Sequence, residues 1–159
     1  VILLPFIIIG LAVALAVIDQ VIKYFVSTYL KPVSSVDVIP GLFKLTYVEN
    51  RGAAFGILAD ARWIFIAFTL IITIAFIVVV IKNNIKSKLF YSSAVLIIGG
   101  GIGNLIDRIF LGYVVDYLSV SFFPPVCNFA DYCITVGAVL LIFYLAFFSD
   151  LKSKKGKSQ

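Results

Sequence analysis

Apolar residues run on without a charge at four places in the chain: Val1 to Ile18, Trp63 to Ile81, Leu89 to Ile106 and Tyr132 to Ser149. At about 1.5 Å rise per residue each run reaches roughly the hydrocarbon thickness of a bilayer, so each predicts a transmembrane helix. The texture changes between the first two runs. Val36 to Ile39 and Leu42 to Val48 flank Pro40-Gly41, and Phe43, Leu45 and Tyr47 alternate with Lys44 and Thr46. Period-two alternation around a turn signal predicts strands, and a small sheet is expected within about residues 30–62, as a cover on the outer membrane face. An Asn50-Arg51-Gly52 turn and the apolar stretch Ala53 to Leu58 follow. The expected fold is a membrane all-α class with a small β element: four transmembrane helices in a single integral membrane domain over residues 1–159.

Composition agrees with the pattern, since 62% of residues are hydrophobic and only 13% charged, far from the balance of a water-soluble domain. All 13 basic and 8 acidic residues fall outside the four runs. Lys82, Lys86 and Lys88 crowd the link between the second and third runs, and Lys152, Lys154, Lys155 and Lys157 form the tail. The positive-inside rule makes both segments cytoplasmic, and an even number of spans puts the N-terminus there as well. The net charge of +5 then reports topology or contact with anionic lipid rather than nucleic acid. Ala14-Leu15-Ala16 could pass for a signal cleavage site, but no basic segment precedes it, so a retained helix is expected. A chain that starts at Val1 and contains no Met is expected to have lost a short leader.

The chain has no histidine, which removes Ser-His-Asp, Cys-His and H-E-x-x-H chemistry. Cys127 and Cys133 lack partners that would complete a metal site and are expected to be unpaired; no metal, nucleotide or covalent cofactor is expected. Gly99-Gly100-Gly101 and Gly103 fit neither phosphate-binding fingerprint and, inside an apolar run, predict close helix packing. Asp19 and Lys23 stand four apart on one helical face and suit an ion pair. Ser27, one turn on, leaves a Ser-Lys arrangement open.

Asp116 and Asp131 flank a Phe- and Pro-rich connection between the last two runs. Taken singly, Asp116 reads as a solvated loop acid and Asp131 as a helix-start acid. With Asn104, Asp107, Arg108 and Asn128 near the same membrane face, they predict a polar cluster at one depth, and two carboxylates there can share a proton. Asp107 and Arg108 also fit an interfacial ion pair. A proton-conducting channel would place its acids at mid-membrane, whereas these lie at span ends; a noncatalytic scaffold would use them for stability alone.

Five blocks in order then carry a resemblance: Asp19-Gln20-x-x-Lys23, Glu49-Asn50-Arg51-Gly52-Ala53-Ala54-Phe55, Gly103-Asn104-x-x-Asp107-Arg108, Val114-Val115-Asp116-Tyr117 and Asn128-Phe129-Ala130-Asp131. Together they resemble the motifs of the bacterial lipoprotein signal peptidase family, signal peptidase II, from the first span to the fourth. Cys127 departs from the pattern, since many members carry Phe there.

The resemblance implies an aspartic endopeptidase of the bacterial cytoplasmic membrane, with its active site at the extracytoplasmic face and a β-cradle between helices one and two. It implies cleavage of diacylglyceryl-modified prolipoproteins just before the lipid-bearing cysteine. Asp116 and Asp131 match the catalytic pair. Asn50, Arg108 and Asn128 match residues around the substrate cleft, and Asp19, Lys23, Gly52, Asn104, Asp107 and Ala130 match its supporting shell. Membrane lipid and the lipidated substrate are the expected partners, and a monomer is expected. Asp131 is the expected base, because a helix N-terminus favours its charge. Phe122, Phe123 and Ala53 to Leu58 are expected to gate a sideways opening to lipid.

Overall fold

Each of the four apolar runs forms a helix long and apolar enough to cross a membrane. A computed structural model describes residues 3–52, 62–82, 85 and 87–148. Helix α1 (Leu3–Phe25) continues through a π turn and a 3₁₀ turn to Val33; α2 is Arg62–Lys82, α3 Lys88–Phe110 and α4 Phe129–Phe147. Large apolar side chains such as Phe6, Ile64, Phe68, Val139 and Ile142 lie on the outside, the arrangement that suits hydrocarbon rather than water as solvent.

The helices overrun the charge-free stretches at the end where the polar motifs lie. α1 carries on past Asp19 and Lys23, α3 takes in Asp107 and Arg108, and α4 starts at Phe129 rather than at Tyr132. A lone charge would end a span, but Asp19 and Lys23 neutralise each other at 2.8 Å, and the helix propagates through them. Asn128 then starts α4 sharply: its side chain accepts from the Asp131 amide while the Asp131 carboxylate accepts from the Asn128 amide, a capping box that satisfies two orphan donors.

Strands β1 (Ser35–Ile39), β2 (Phe43–Asn50), β3 (Val114–Val120) and β4 (Phe123–Cys127) form one antiparallel sheet in the order β1-β2-β3-β4. The sheet expected after the first helix therefore takes half its strands from the link between α3 and α4. Pro124 and Pro125 argue against a strand in the sequence, yet β4 is an edge strand, where a missing N–H is tolerated. Register matters for the site: β2 and β3 pair Val48 with Asp116 and Asn50 with Val114, which brings the Asn50 turn over the Asp116 strand.

α3 is the central post, with α1, α2 and α4 packed around it. Glycines permit the approach: a Cβ at Gly100 would lie 2.5 Å from the Ala130 carbonyl oxygen, and one at Gly103 would lie 2.6 Å from an Asp19 carboxylate oxygen. At the opposite end Ile8, Ala12, Val80, Phe90, Ala94 and Ile98 close an apolar core. Gly100→Ala should therefore lower the thermal unfolding midpoint in detergent, by the equivalent of about 1–3 kcal/mol. Gly101→Ala should be nearly neutral, because its Cβ would meet Thr69 Cγ2 at 3.4 Å and Thr73 Oγ1 at 3.6 Å, ordinary van der Waals distances.

Candidate active site

Asn104, Asp107 and Arg108 sit at i, i+3 and i+4 near the end of α3; Asn104 meets α1 and α4, Asp107 meets α1, and Arg108 reaches Phe65 of α2. Opposite them α1 offers Asp19, Gln20 and Lys23. Lys23 Nζ lies 2.8 Å from Asp19 Oδ2 and 2.9 Å from Asp107 Oδ2 and donates to Asn104 Oδ1 at 2.8 Å. Three acceptors satisfy the three protons of an ammonium, and at 3% exposure the group has no free lone pair to activate Ser27. The Ser-Lys alternative falls here. The Asp107-Arg108 reading is also revised. Asp107 turns inward to Lys23, while Arg108 donates to the Asn104 carbonyl at 3.3 Å and lies over the Phe65 ring, 4.9 Å from its centroid.

The two carboxylates around Lys23 each hold something more. Asp19 Oδ1 accepts from the Ala130 amide at 3.1 Å, and Asp107 Oδ2 accepts from the Val115 amide at 3.0 Å. Ala130 precedes Asp131 and Val115 precedes Asp116, so one ion cluster grips the backbone directly before both acids. Gln20 joins the arrangement by donating to Asp107 Oδ1 at 2.9 Å and to the Gly103 carbonyl at 3.1 Å.

Two asparagines join the acids themselves. Asn128 Nδ2 donates to Asp116 Oδ1 at 2.6 Å and to Asn104 Oδ1 at 3.1 Å, and Asn104 Nδ2 donates to Asp131 Oδ1 at 2.7 Å. Asn50 Nδ2 donates to the other Asp116 oxygen at 2.8 Å, while its own Oδ1 accepts from the buried Gly52 amide at 3.0 Å. The second Asp131 oxygen accepts from the Asn128 amide at 3.1 Å. Asp116 is 1% exposed, so it is no solvated loop acid. Burial, and then the negative charge of Asp131, push its pKa up to about 7.

Asp131 is only half-buried. It borders a hollow of about 360 Å³ lined also by Val120, Phe122, Phe123, Cys127, Tyr132 and Thr135. Cys127 and Cys133 are both free thiols. Among the described residues no group of three His, Cys, Asp or Glu side chains is placed to hold a metal ion. The Ala53 to Leu58 stretch lies outside the described residues. Tyr117, part of a motif block but given no role by the sequence, accepts from the Phe129 amide through its hydroxyl at 3.2 Å, and Phe65 beneath Arg108 was missed because no local signal marks it.

A titration follows from this geometry. Asp116 holds its proton to about 7 in the folded protein against an ordinary 3.8, so between those values the unfolded chain releases a proton that the native state keeps. This contribution to stability is complete below 3.8 and is lost as pH rises through about 7. Thermal unfolding across this range should show that decline in the parent protein. Asp116→Asn should flatten it, and its persistence unchanged in that variant would place the titrating proton elsewhere.

A family model described as signal peptidase (SPase) II matches residues 11–147. The lipoprotein signal peptidase of Caldanaerobacter subterraneus subsp. tengcongensis is 48% identical over 130 residues, spanning 82% of this chain and 89% of that protein. That of Halothermothrix orenii is 47% identical over 128 residues, spanning 80% and 87%. A solved structure described as a bacterial membrane enzyme is 35% identical with a TM-score of 0.80, covering 96% of this chain and 92% of that one. The chain thus belongs to the signal peptidase II family and is a multi-pass membrane peptidase of the aspartic type.

Proposed function

We propose that this peptidase removes the signal peptide from diacylglyceryl-modified prolipoproteins, cutting before the lipid-bearing cysteine, with Asp116 and Asp131 as the catalytic pair. One observation carries the reading: two acids from different elements, separated in sequence, are tied into one network through Asn104 and Asn128. Two carboxylates that feel each other in a partly dry site cannot both ionise cheaply and hold one proton between them.

Asp116, buried and raised to about 7, is the resting proton's holder. Asp131 borders the open hollow at the amide end of α4, where helix charge favours the ionised form, and is the base. In the reaction Asp131 takes a proton from a water, whose oxygen attacks the scissile carbonyl carbon; Asp116 gives its proton to the carbonyl oxygen as charge builds there. Collapse of the tetrahedral species breaks the C–N bond as the proton on Asp131 passes to the leaving nitrogen and Asp116 takes back a proton from the gem-diol hydroxyl, which restores one proton to the pair. Asn50 and Asn128 orient Asp116 through their amide groups, and Arg108 adds positive charge over the cleft. Asp19, Lys23, Gly52, Asn104, Asp107 and Ala130 hold the frame.

The substrate's acyl chains dictate the site's depth. Drawing them into water would cost about 0.8 kcal/mol for each exposed methylene, so access is sideways, through the hollow bordered by Phe122 and Phe123. The basic link and tail put the opposite end of the bundle in the cytoplasm, which sets the site at the extracytoplasmic face of the bacterial cytoplasmic membrane.

Processing of a lipid-modified precursor by purified, folded variants tests the whole reading. Asp116→Asn and Asp131→Asn should each lower turnover by about 100-fold to 10,000-fold with the unfolding transition still cooperative. Retained cleavage in either variant would end the dyad assignment. In the same assay Phe122→Ser and Phe123→Ser should slow the lipidated substrate, and full activity in both would move the opening elsewhere.

A further inference from the structure

Away from the site, α1 and α3 cross at Gly99, where a Cβ would meet the Ala12 carbonyl and the Leu15 side chain, both at 2.9 Å. Between this crossing and the far end of the bundle a groove of about 700 Å³ runs along α1 from Leu4 to Ile18 and along α3 from Lys88 to Leu96. Its walls are aliphatic except at one end, which Lys88, Tyr91 and Ser92 line, with Lys88 and Ser92 both exposed. Among the described residues Lys88 forms no ion pair.

We propose that this groove is a binding site for an anionic phospholipid of the leaflet opposite the active site, with the headgroup phosphate on Lys88 and Ser92 and one acyl chain along α1. Length and charge select this occupant. The α1 wall from Leu4 to Ile18 runs roughly 20 Å and the α3 wall from Lys88 to Leu96 roughly 12 Å, against roughly 15 Å for one leaflet's hydrocarbon, so most of an acyl chain fits between them. The chain from residue 61 to residue 106 contains no acid, and its charges outside the active-site end are Lys82, Lys86 and Lys88. A phosphate there meets attraction with no competing carboxylate from the link or the groove. A zwitterionic headgroup gains less, because its own cation is repelled by the same lysines. The bound lipid would fill the space between α1 and α3 and so support the seam that presents Asp19 and Lys23 to Asp107. This site is independent of the proposed substrate.

The test uses the full chain in a zwitterionic detergent, with native mass spectrometry and thermal unfolding read during titration with dioleoyl phosphatidylglycerol or dioleoyl phosphatidylcholine. Phosphatidylglycerol should be retained and should raise the unfolding midpoint, with phosphatidylcholine weaker on both readouts. Lys88→Gln should weaken phosphatidylglycerol binding about fivefold, and Lys82→Gln, which alters a lysine outside the groove, should weaken it clearly less. Ala14→Trp, which fills the groove from its exposed position, should remove retention. Equal retention of the two lipids, or equal losses from the two lysine variants, would overturn the proposal. So would a stabilisation by inorganic phosphate that matches the lipid's, since an acyl chain would then contribute nothing. Should Ala14→Trp fail to fold, the two lysine variants decide the matter alone.

Discussion

A buried ammonium between two buried carboxylates sets the shape of the end of the bundle that carries Asp116 and Asp131. Lys23, Asp19 and Asp107 are 3%, 0% and 2% exposed, and each charge taken from water costs several kcal/mol unless its partners are close and well placed. The cluster meets that requirement with short contacts to Lys23 and with one backbone amide on each carboxylate. Those amides belong to Val115 and Ala130. Charge satisfaction in the cluster is therefore coupled to where the next residues, Asp116 and Asp131, can stand. A displaced strand or helix would leave a carboxylate short of a donor in low dielectric, and that penalty is what holds the acids in register.

The membrane makes such a device economical in residues. Helices in lipid gain little from the hydrophobic effect when they associate and depend on close packing and interhelical hydrogen bonds. Gly100 and Gly103 let α4 and α1 approach α3 closely enough for amide–carboxylate contact. Asn104 and Asn128 then span the remaining interval with side chains that carry both donors and acceptors. An amide side chain can bridge two acids without bringing a further charge to desolvate, which suits a site with no histidine.

Much of this was legible in the chain, and what was hidden shares a cause. Four charge-free runs announced four helices, the i, i+4 spacing of Asp19 and Lys23 announced their pairing, and the alternation after Pro40-Gly41 announced β1 and β2. The helices run past the charge-free stretches because partners elsewhere in the fold cancel charges that would ordinarily stop a span. Gln20 donates to residues 83 and 87 positions away, contacts that no local pattern encodes. β3 was obscured because it is buried at Val114, Val115, Asp116 and Tyr117 alike, so it lacks the polar alternation that reveals a half-exposed strand. β4 was obscured by prolines that only an edge position tolerates.

The difference in surroundings between the two acids follows from the elements that carry them. Asp116 lies on an inner strand, beneath Asn50 of the neighbouring strand, and such a position is dry on both faces. Asp131 stands in the first turn of a helix, where the backbone supplies donors and the side chain reaches the open hollow. Strand burial raises the affinity of Asp116 for a proton, while the helix start supplies a backbone donor to one oxygen of Asp131. Two identical side chains thereby meet unlike surroundings through secondary structure alone. Placing the pair at the end of the bundle rather than in its middle keeps Asp131 beside the open hollow and spares both carboxylates the cost of charge at mid-membrane.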